Sequence, residues 1–233
     1  MSDQITHLPI LTDNNPNFIG VWSLSDITVN DLLIDFFNTN QTLHMDMSIA
    51  TPKGNKIDED IVKGKSILNL SAEDITNTRL LLYFKYLNEC YNEYVKRWPT
   101  LIKQNELGLL NNYEFHRYDK GSPNAYDPFY KRNQPRAGIY SLSFITFLNT
   151  VEEGGELEFY YYGTSVKAYR GVTVIYPSDW THASKLTSNT SDDLYIIRGD
   201  IGYYTAEDLT FGVSLNTFDQ DVTIKQDIKT KEK

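Results

Sequence analysis

The chain has 233 residues, a formal net charge of −9 at pH 7 and a single cysteine. This length is sufficient for one full hydrophobic core with extensions, so a second domain is not required. The acidic balance argues against nucleic acid as a direct partner, because such binding depends on Lys and Arg neutralising phosphates. One cysteine excludes an intrachain disulfide and is typical of a reducing compartment.

The first 110 residues combine strand and helix patterns. Asn17–Trp22 is predicted to be a strand and Thr28–Phe37 a short helix, whereas residues 38–66 have no clear period and are predicted to form a loop. A capping box begins a strongly amphipathic helix over residues 72–98, with Cys90 on its apolar face. We expect this helix to support a sheet, because an amphipathic helix must cover something.

Short strand-like runs separated by turn residues dominate from residue 113 to residue 203. They carry many of the 17 tyrosines and 11 phenylalanines of the chain, which suit pleated, half-buried surfaces. Their close spacing leaves no room for helices between strands, so it predicts an antiparallel barrel or sandwich. The runs are Tyr113–Tyr118, Ile139–Leu148, Glu156–Tyr162, Ser165–Ala168, Val172–Tyr176 and Asp193–Ile197.

The chain after Tyr203 is predicted to form one more strand at the sheet edge, followed by a charged tail over residues 219–233. We expect this tail either to fray or to contact a protein partner. The predicted organisation is one globular domain in three segments: 1–110 with an N-terminal strand and supporting helices, 111–205 with the β core, and 206–233 with the edge strand and the tail. The sequence contains no apolar stretch of about 20 residues and no secretory signal, so we expect a cytoplasmic protein with no membrane partner.

Five blocks follow one another in the β region: SLSFITFLN at 141–149, VEEGGELEF at 151–159, RGVTVIYP at 170–177, THA at 181–183 and YIIRG at 195–199. In this order they resemble the prolyl-4-hydroxylase-like branch of the 2-oxoglutarate and Fe(II)-dependent oxygenases, in the form common in bacteriophages. The resemblance implies a mainly β fold with flanking helices (α+β), a double-stranded β-helix of the jelly-roll or cupin type. It also implies Fe(II) and 2-oxoglutarate as cofactors and a protein or small-molecule substrate.

An iron centre of this family needs two histidines and one carboxylate on one face of the metal. By resemblance, His182 is the distal histidine ligand. Asp127 is the carboxylate in the segment where the family has its His-x-Asp pair, but that segment contains no histidine. Two alternatives remain open. His44-Met45-Asp46 is a literal His-x-Asp that would have to reach the barrel from a loop, and His116 precedes the expected position.

The expected cosubstrate site also departs from the family. There, a Lys or Arg immediately before the closing strand holds the far carboxylate of 2-oxoglutarate. Leu194 occupies that position in this chain. Arg198 shares a face of the strand with Leu194, and Lys185 is a second alternative. Tyr118 matches a family tyrosine that contacts the same cosubstrate, so Tyr118 and Arg198 are the candidate cofactor-binding residues.

Two functions are consistent with these observations, and the sequence identifies no catalytic residue for either. The first is a non-haem Fe(II)/2-oxoglutarate-dependent dioxygenase with remodelled ligands. The second is a catalytically inactive jelly roll of the same ancestry, which needs no cofactor and serves as a binding or assembly module, for example in a virion. The losses at both the metal and the cosubstrate positions favour the second.

Overall fold

The computed structural model describes residues 5–8, 17–24, 26–40, 45–46, 65–70, 78–103, 107–110, 113–122, 140–203 and 212–214. Within these residues, helix α1 spans Thr28–Thr39 and helix α2 spans Thr78–Arg97, and one-turn 3-10 helices lie at Pro99–Ile102 and Trp180–His182. The strands are β1 Ile5–His7, β2 Gly20–Leu24, β3 Met45–Asp46, β4 Lys65–Leu70, β5 Leu107–Leu110, β6 Tyr113–Tyr118, β7 Tyr140–Phe147, β8 Leu157–Phe159, β9 Thr164–Val166, β10 Val172–Pro177, β11 Ser184–Leu186, β12 Leu194–Tyr203 and β13 Gly212–Ser214.

Two antiparallel sheets form the core of the fold. In the described part of the chain, the larger sheet has ten strands in the order β1-β2-β10-β7-β12-β6-β4-β3, with β5 beside β12 and β13 beside β5. The smaller sheet has the order β11-β8-β9. The sheets pack face to face, with the ring of Phe159 edge-on to that of Tyr176 at 5.0 Å between centroids. This is a double-stranded β-helix, and the predicted fold class is confirmed.

The central strands are buried on both faces, and alternate residues enter two different cores. On β7, Ile145 and Phe147 point into the barrel between the two sheets, whereas Leu142 and Phe144 pack toward the helices. Successive side chains of a strand point to opposite faces. Burial on both faces therefore explains why this stretch is almost continuously apolar instead of alternating with polar residues.

Helix α2 covers the face of the larger sheet that points away from the barrel. The ring of Phe84 contacts Tyr113 of β6, with 4.8 Å between centroids. The hydroxyl of Tyr83 hydrogen-bonds to Thr146 of β7 at 2.9 Å, and Thr146 hydrogen-bonds to Thr173 of β10 at 2.8 Å. The helix thus supports the sheet as predicted, and its Cys90 is a buried free thiol.

Two glycines allow the backbone to approach its surroundings closely. A Cβ added to Gly199 of β12 would lie 2.7 Å from the ring of Phe144. Gly154, in the turn before β8, has φ of +79°, and an added Cβ would lie 1.8 Å from the carbonyl oxygen of Ser188. Glycine has no Cβ, so it avoids this clash and also adopts a positive φ without strain. Gly154 in VEEGGELEF is therefore required by the local structure.

Several element boundaries differ from the predictions. The loop predicted over residues 38–66 is wrong in part, because β3 lies within it and β4 begins at Lys65 and pairs along β6. The strand predicted over Glu156–Tyr162 is shorter and ends at Phe159, and β11 was not predicted. The first residues of the helix predicted over 72–98 lie outside the described residues.

The N-terminal 110 residues contribute strands β1 to β5 to the larger sheet. The division into segments 1–110, 111–205 and 206–233 stays a prediction. Neither of the helices described is both long and apolar enough to cross a lipid bilayer.

Candidate functional site

His182 ends the 3-10 turn that follows β10, at one end of the barrel. Asp179 caps this turn, because its carboxylate accepts a hydrogen bond from the Thr181 amide at 3.1 Å. Only 4% of His182 is exposed. Its ring lies 4.9 Å from that of Tyr162, which follows β8 of the smaller sheet. The histidine predicted to bind metal is therefore buried between segments of the two sheets.

Both ring nitrogens of His182 have partners within the protein. Nε2 lies 2.8 Å from the main-chain oxygen of Asn17. Since a carbonyl oxygen can only accept, Nε2 carries the proton and donates it. Nδ1 lies 2.9 Å from the Thr181 hydroxyl and 3.4 Å from the Asp179 carboxylate. The Thr181 hydroxyl donates its one proton to Asp179, so toward Nδ1 it can only accept. Both ring nitrogens therefore face acceptor atoms, whereas a metal ligand needs an unprotonated nitrogen.

Asp179 stays ionised beside this histidine. Partial burial raises its pKa, but hydrogen bonds from Thr181 and His182, together with the charge of His182, outweigh burial and hold the pKa below the usual value. The Thr181 hydroxyl donates to the same carboxylate oxygen that faces His182. Asp179 therefore orients the turn and the His182 ring through contacts that are already made.

The described residues do not fit an iron centre of the kind that the resemblance implies. That centre needs two histidines and one carboxylate around one metal. Across the described ranges, no group of three or more His, Cys, Asp or Glu side chains is placed to hold a metal ion. Asp127 and His44 lie outside the described residues, so their roles stay predictions.

Leu194, which stands where the family has its cosubstrate cation, is fully buried inside the barrel. It pairs in register with Tyr118 of β6, which lies in the same core. A leucine offers no charge to a carboxylate that has lost its hydration on entering a barrel. The two residues are therefore neighbours as the resemblance implies, but the position of Leu194 is apolar.

Arg198 lies two strand periods beyond Leu194, opposite Glu114 of β6. Its side chain is 12% exposed, and its Nε is 3.9 Å from a Glu114 carboxylate oxygen. The same oxygen is 2.7 Å from Nε2 of His116, whose Nδ1 is 2.9 Å from the Tyr118 hydroxyl. A polar chain thus joins Arg198 to Tyr118 inside the barrel. Any carboxylate ligand of Arg198 would compete with Glu114.

A second polar group lies at the end of the barrel where β10 leads to His182. The Ser143 hydroxyl donates to the Asp200 carboxylate at 2.8 Å and lies 2.9 Å from the Ser178 hydroxyl. Asp200 shares a strand face with Arg198, and it is 8% exposed. The inner face of β12 therefore changes from apolar at Leu194 to charged at Arg198 and Asp200.

Comparison with known proteins finds solved structures with a similar fold but no relative by sequence. No protein-family model and no curated protein matches the sequence. Among solved structures, a viral collagen prolyl hydroxylase from Paramecium Bursaria Chlorella virus-1, in complex with 2-oxoglutarate, has a TM-score of 0.53 at 12% identity, covering 87% of this chain and 97% of that one. A Pseudomonas putida prolyl-4-hydroxylase has a TM-score of 0.54 at 14% identity, covering 80% and 92%.

A Trichoplax adhaerens prolyl hydroxylase, in complex with a peptide fragment of a hypoxia inducible factor, has a TM-score of 0.56 at 15% identity, and 83% of this chain and 86% of that one are covered. This chain has the prolyl hydroxylase fold. Within that fold the structure places His182, Tyr118 and Arg198 in or beside the barrel. Polar contacts through Glu114 and His116 connect Arg198 to Tyr118. The ring nitrogens of His182 contact Asn17 and Thr181 instead.

Sequence reasoning missed two acidic residues of the prolyl hydroxylase-like barrel, Glu114 and Asp200. The signal for Glu114 was available, because Glu114, His116 and Tyr118 alternate in YEFHRY and so share one strand face. Asp200 lies directly after the YIIRG block at 195–199 that was predicted to close the sheet, so it was not considered. Both omissions concern residues that set the charge around Arg198.

Proposed function

We propose that this protein is a binding module built on the prolyl hydroxylase fold and that it does not use Fe(II) and 2-oxoglutarate for oxidation. The observation that carries the proposal is the state of His182. Its Nε2 proton is donated to the Asn17 carbonyl, and its Nδ1 faces two acceptors, the Thr181 hydroxyl oxygen and the Asp179 carboxylate. A histidine in this state contributes to the stability of the barrel through contacts that a metal would have to break.

The cosubstrate positions support the same proposal. The fully buried Leu194 cannot compensate a carboxylate, and Arg198 has Glu114 within 3.9 Å. Losing the partner of a buried charge typically costs about 3–5 kcal/mol, which corresponds to two to four decades in affinity. We therefore expect 2-oxoglutarate to bind far more weakly than it would with a cation at residue 194.

The test is a titration of the purified protein with Fe(II) and then with 2-oxoglutarate by calorimetry, together with an assay for succinate. We expect no saturable binding of either ligand at micromolar concentration and no succinate. Succinate formed by the unmodified protein would reject the proposal.

A second candidate function is a dioxygenase with remodelled ligands, acting on a protein or small molecule. It is favoured by the presence of Tyr118 and Arg198 on the inner face of the barrel. In this case Asp127 and His182 would remain the proposed metal ligands. Saturable Fe(II) binding that is lost in Asp127→Asn would support this candidate over the binding module. We also propose that residues 219–233 contact a protein partner.

A further inference from the structure

A cluster of exposed aromatic side chains lies beside His182. We call it the aromatic rim, and it consists of Tyr160, Tyr161 and Trp180. Their exposed fractions are 44%, 69% and 57%. The rings of Tyr161 and Trp180 meet edge to face at 6.0 Å between centroids, which joins the turn after β8 to the turn after β10. Clustered exposed aromatic rings are typical of binding surfaces, whereas single ones are common everywhere.

The surroundings of the aromatic rim are suited to a cation. The Asp179 carboxylate lies directly before Trp180, where it caps the turn. Glu158 lies half-exposed on the outer face of β8. The Nζ of Lys185 is 5.5 Å from the centroid of the Tyr160 ring and 3.1 Å from the Glu158 carboxylate. One ring of the aromatic rim thus already contacts an ammonium group by a cation–π interaction.

A cavity of about 290 Å³ opens next to Tyr160. Its lining includes Glu158, Gly163, Ser165 and Lys185. Gly163 leaves open space above it, since an added Cβ would meet nothing within 4 Å. The cavity therefore has room for a long side chain, with a carboxylate at its wall and an aromatic ring beside it.

We propose that the aromatic rim binds a basic segment of a protein partner, with Arg or Lys side chains over Tyr161 and Trp180 and one such side chain in the cavity beside Glu158. In this arrangement the partner's cation replaces Lys185 as the neighbour of Glu158. The net charge of −9 favours the approach of a basic segment. This inference rests on the proposed binding role and names the class of partner.

The first experiment uses a displayed library of random twelve-residue peptides, selected on the full-length protein. We expect enrichment of Arg and Lys, with binding that weakens as salt is raised. Enrichment of acidic or uncharged peptides, or no enrichment, would overturn the proposal. Concentration-dependent self-association of the free protein that Trp180→Ala abolishes would also overturn it, because a second copy would then be the occupant.

Four variants test the chemistry with one selected peptide. Trp180→Ala and Tyr161→Ala should each weaken binding about tenfold, because they remove exposed aromatic anchors. The matched control is Tyr169→Ala, since Tyr169 is 49% exposed but lies in the connection between β9 and β10. It should leave binding unchanged.

The fourth variant, Lys185→Met, is expected to strengthen peptide binding. A variant that failed to fold could not give this result. The substitution removes the ammonium that competes for Glu158, so a basic peptide should bind more tightly. Weaker binding would contradict a cationic occupant. The same samples are assayed for succinate. Formation of succinate would reject the proposal that the protein is a binding module. If no succinate forms and the peptides do not bind, only the proposed role of the aromatic rim is rejected.

Discussion

His182 shows how the surroundings of one residue decide what it can do. The same imidazole is a metal ligand when a nitrogen lone pair faces an open position, and a structural group when both nitrogens are hydrogen-bonded. Here Nε2 faces a carbonyl oxygen at 2.8 Å. The sequence could place a histidine after β10, but it could not reveal this acceptor, because Asn17 is 165 residues away along the chain.

We predict that His182→Ala lowers the free energy of unfolding of the metal-free protein by about 2–3 kcal/mol. The change removes a buried ring contact with Tyr162 and leaves the Asn17 carbonyl without its donor. Urea denaturation with a chelator present is the measurement. A variant as stable as the parent without metal, but less stable once Fe(II) is added, would instead identify His182 as a metal ligand.

Asp179 should make stability depend on pH in the acid range. Its pKa is lowered in the folded state, so the ionised form favours folding above its usual pKa of 3.8, and this contribution is lost as the pH falls below that value. Asp179→Asn keeps a capping oxygen but removes the charge. We expect the variant to be about 1 kcal/mol less stable than the parent at pH 7 and nearly equal to it at low pH. Urea midpoints at the two pH values measure this, and a constant difference would contradict it.

Among the elements, the long and buried ones could be predicted and the short ones could not. Helix α2 and β7 have strong patterns of their own, because each buries large side chains over many residues. Strand β11 has three residues, and its existence depends on pairing with β8. Strand β4 likewise pairs residue by residue with β6. Short strands are determined by their neighbours in the sheet, and these cannot be seen in a local pattern.

The joint between α2 and the larger sheet depends on a buried hydroxyl chain. Tyr83 bonds to Thr146, and Thr146 bonds to Thr173. We predict that Tyr83→Phe lowers the free energy of unfolding by about 1 kcal/mol, because one buried hydrogen bond is lost while the two threonines remain paired. Tyr169→Phe, at an exposed position between β9 and β10, is the control for removing a hydroxyl. A chemical denaturation series should show the larger loss for Tyr83→Phe, and equal losses would contradict a specific role for this chain.

For the molecule as a whole, the fold could be predicted from the sequence, but the contacts of the side chains inside the barrel could not. The resemblance predicted the double-stranded β-helix correctly, since that fold needs only strands, turns and apolar side chains in the right order. The contents of the barrel depend on individual side chains such as Leu194, Arg198 and Glu114. Their contacts follow from strand register across the sheet, which the sequence alone does not specify.

We predict that cofactor binding can be introduced by restoring both altered positions. Leu194→Arg would provide a cation beside Tyr118, and Ala125→His would complete a His-x-Asp pair with Asp127. The combined variant should gain Fe(II)-dependent binding of 2-oxoglutarate by calorimetry, and Leu194→Arg alone should not. Because an unpaired buried arginine is costly, Leu194→Arg alone should also lower the melting temperature. No gain of binding in a folded combined variant would show that further positions of the barrel differ.

The contact between Asn17 and His182 also has a consequence for the synthesis of this protein. Strand β2 pairs with β10, and the turn before β2 accepts the His182 proton, so the N-terminal segment cannot reach its final partners until the ribosome has made most of the chain. At about 5–20 residues per second, covering that separation takes about ten to thirty seconds. During that interval the edge of β2 is unpaired, which exposes the nascent chain to wrong pairing with other strands. Growth temperature and chaperone supply should therefore have a large effect on the yield of folded protein. They should have a smaller effect on the stability of the protein once it has folded.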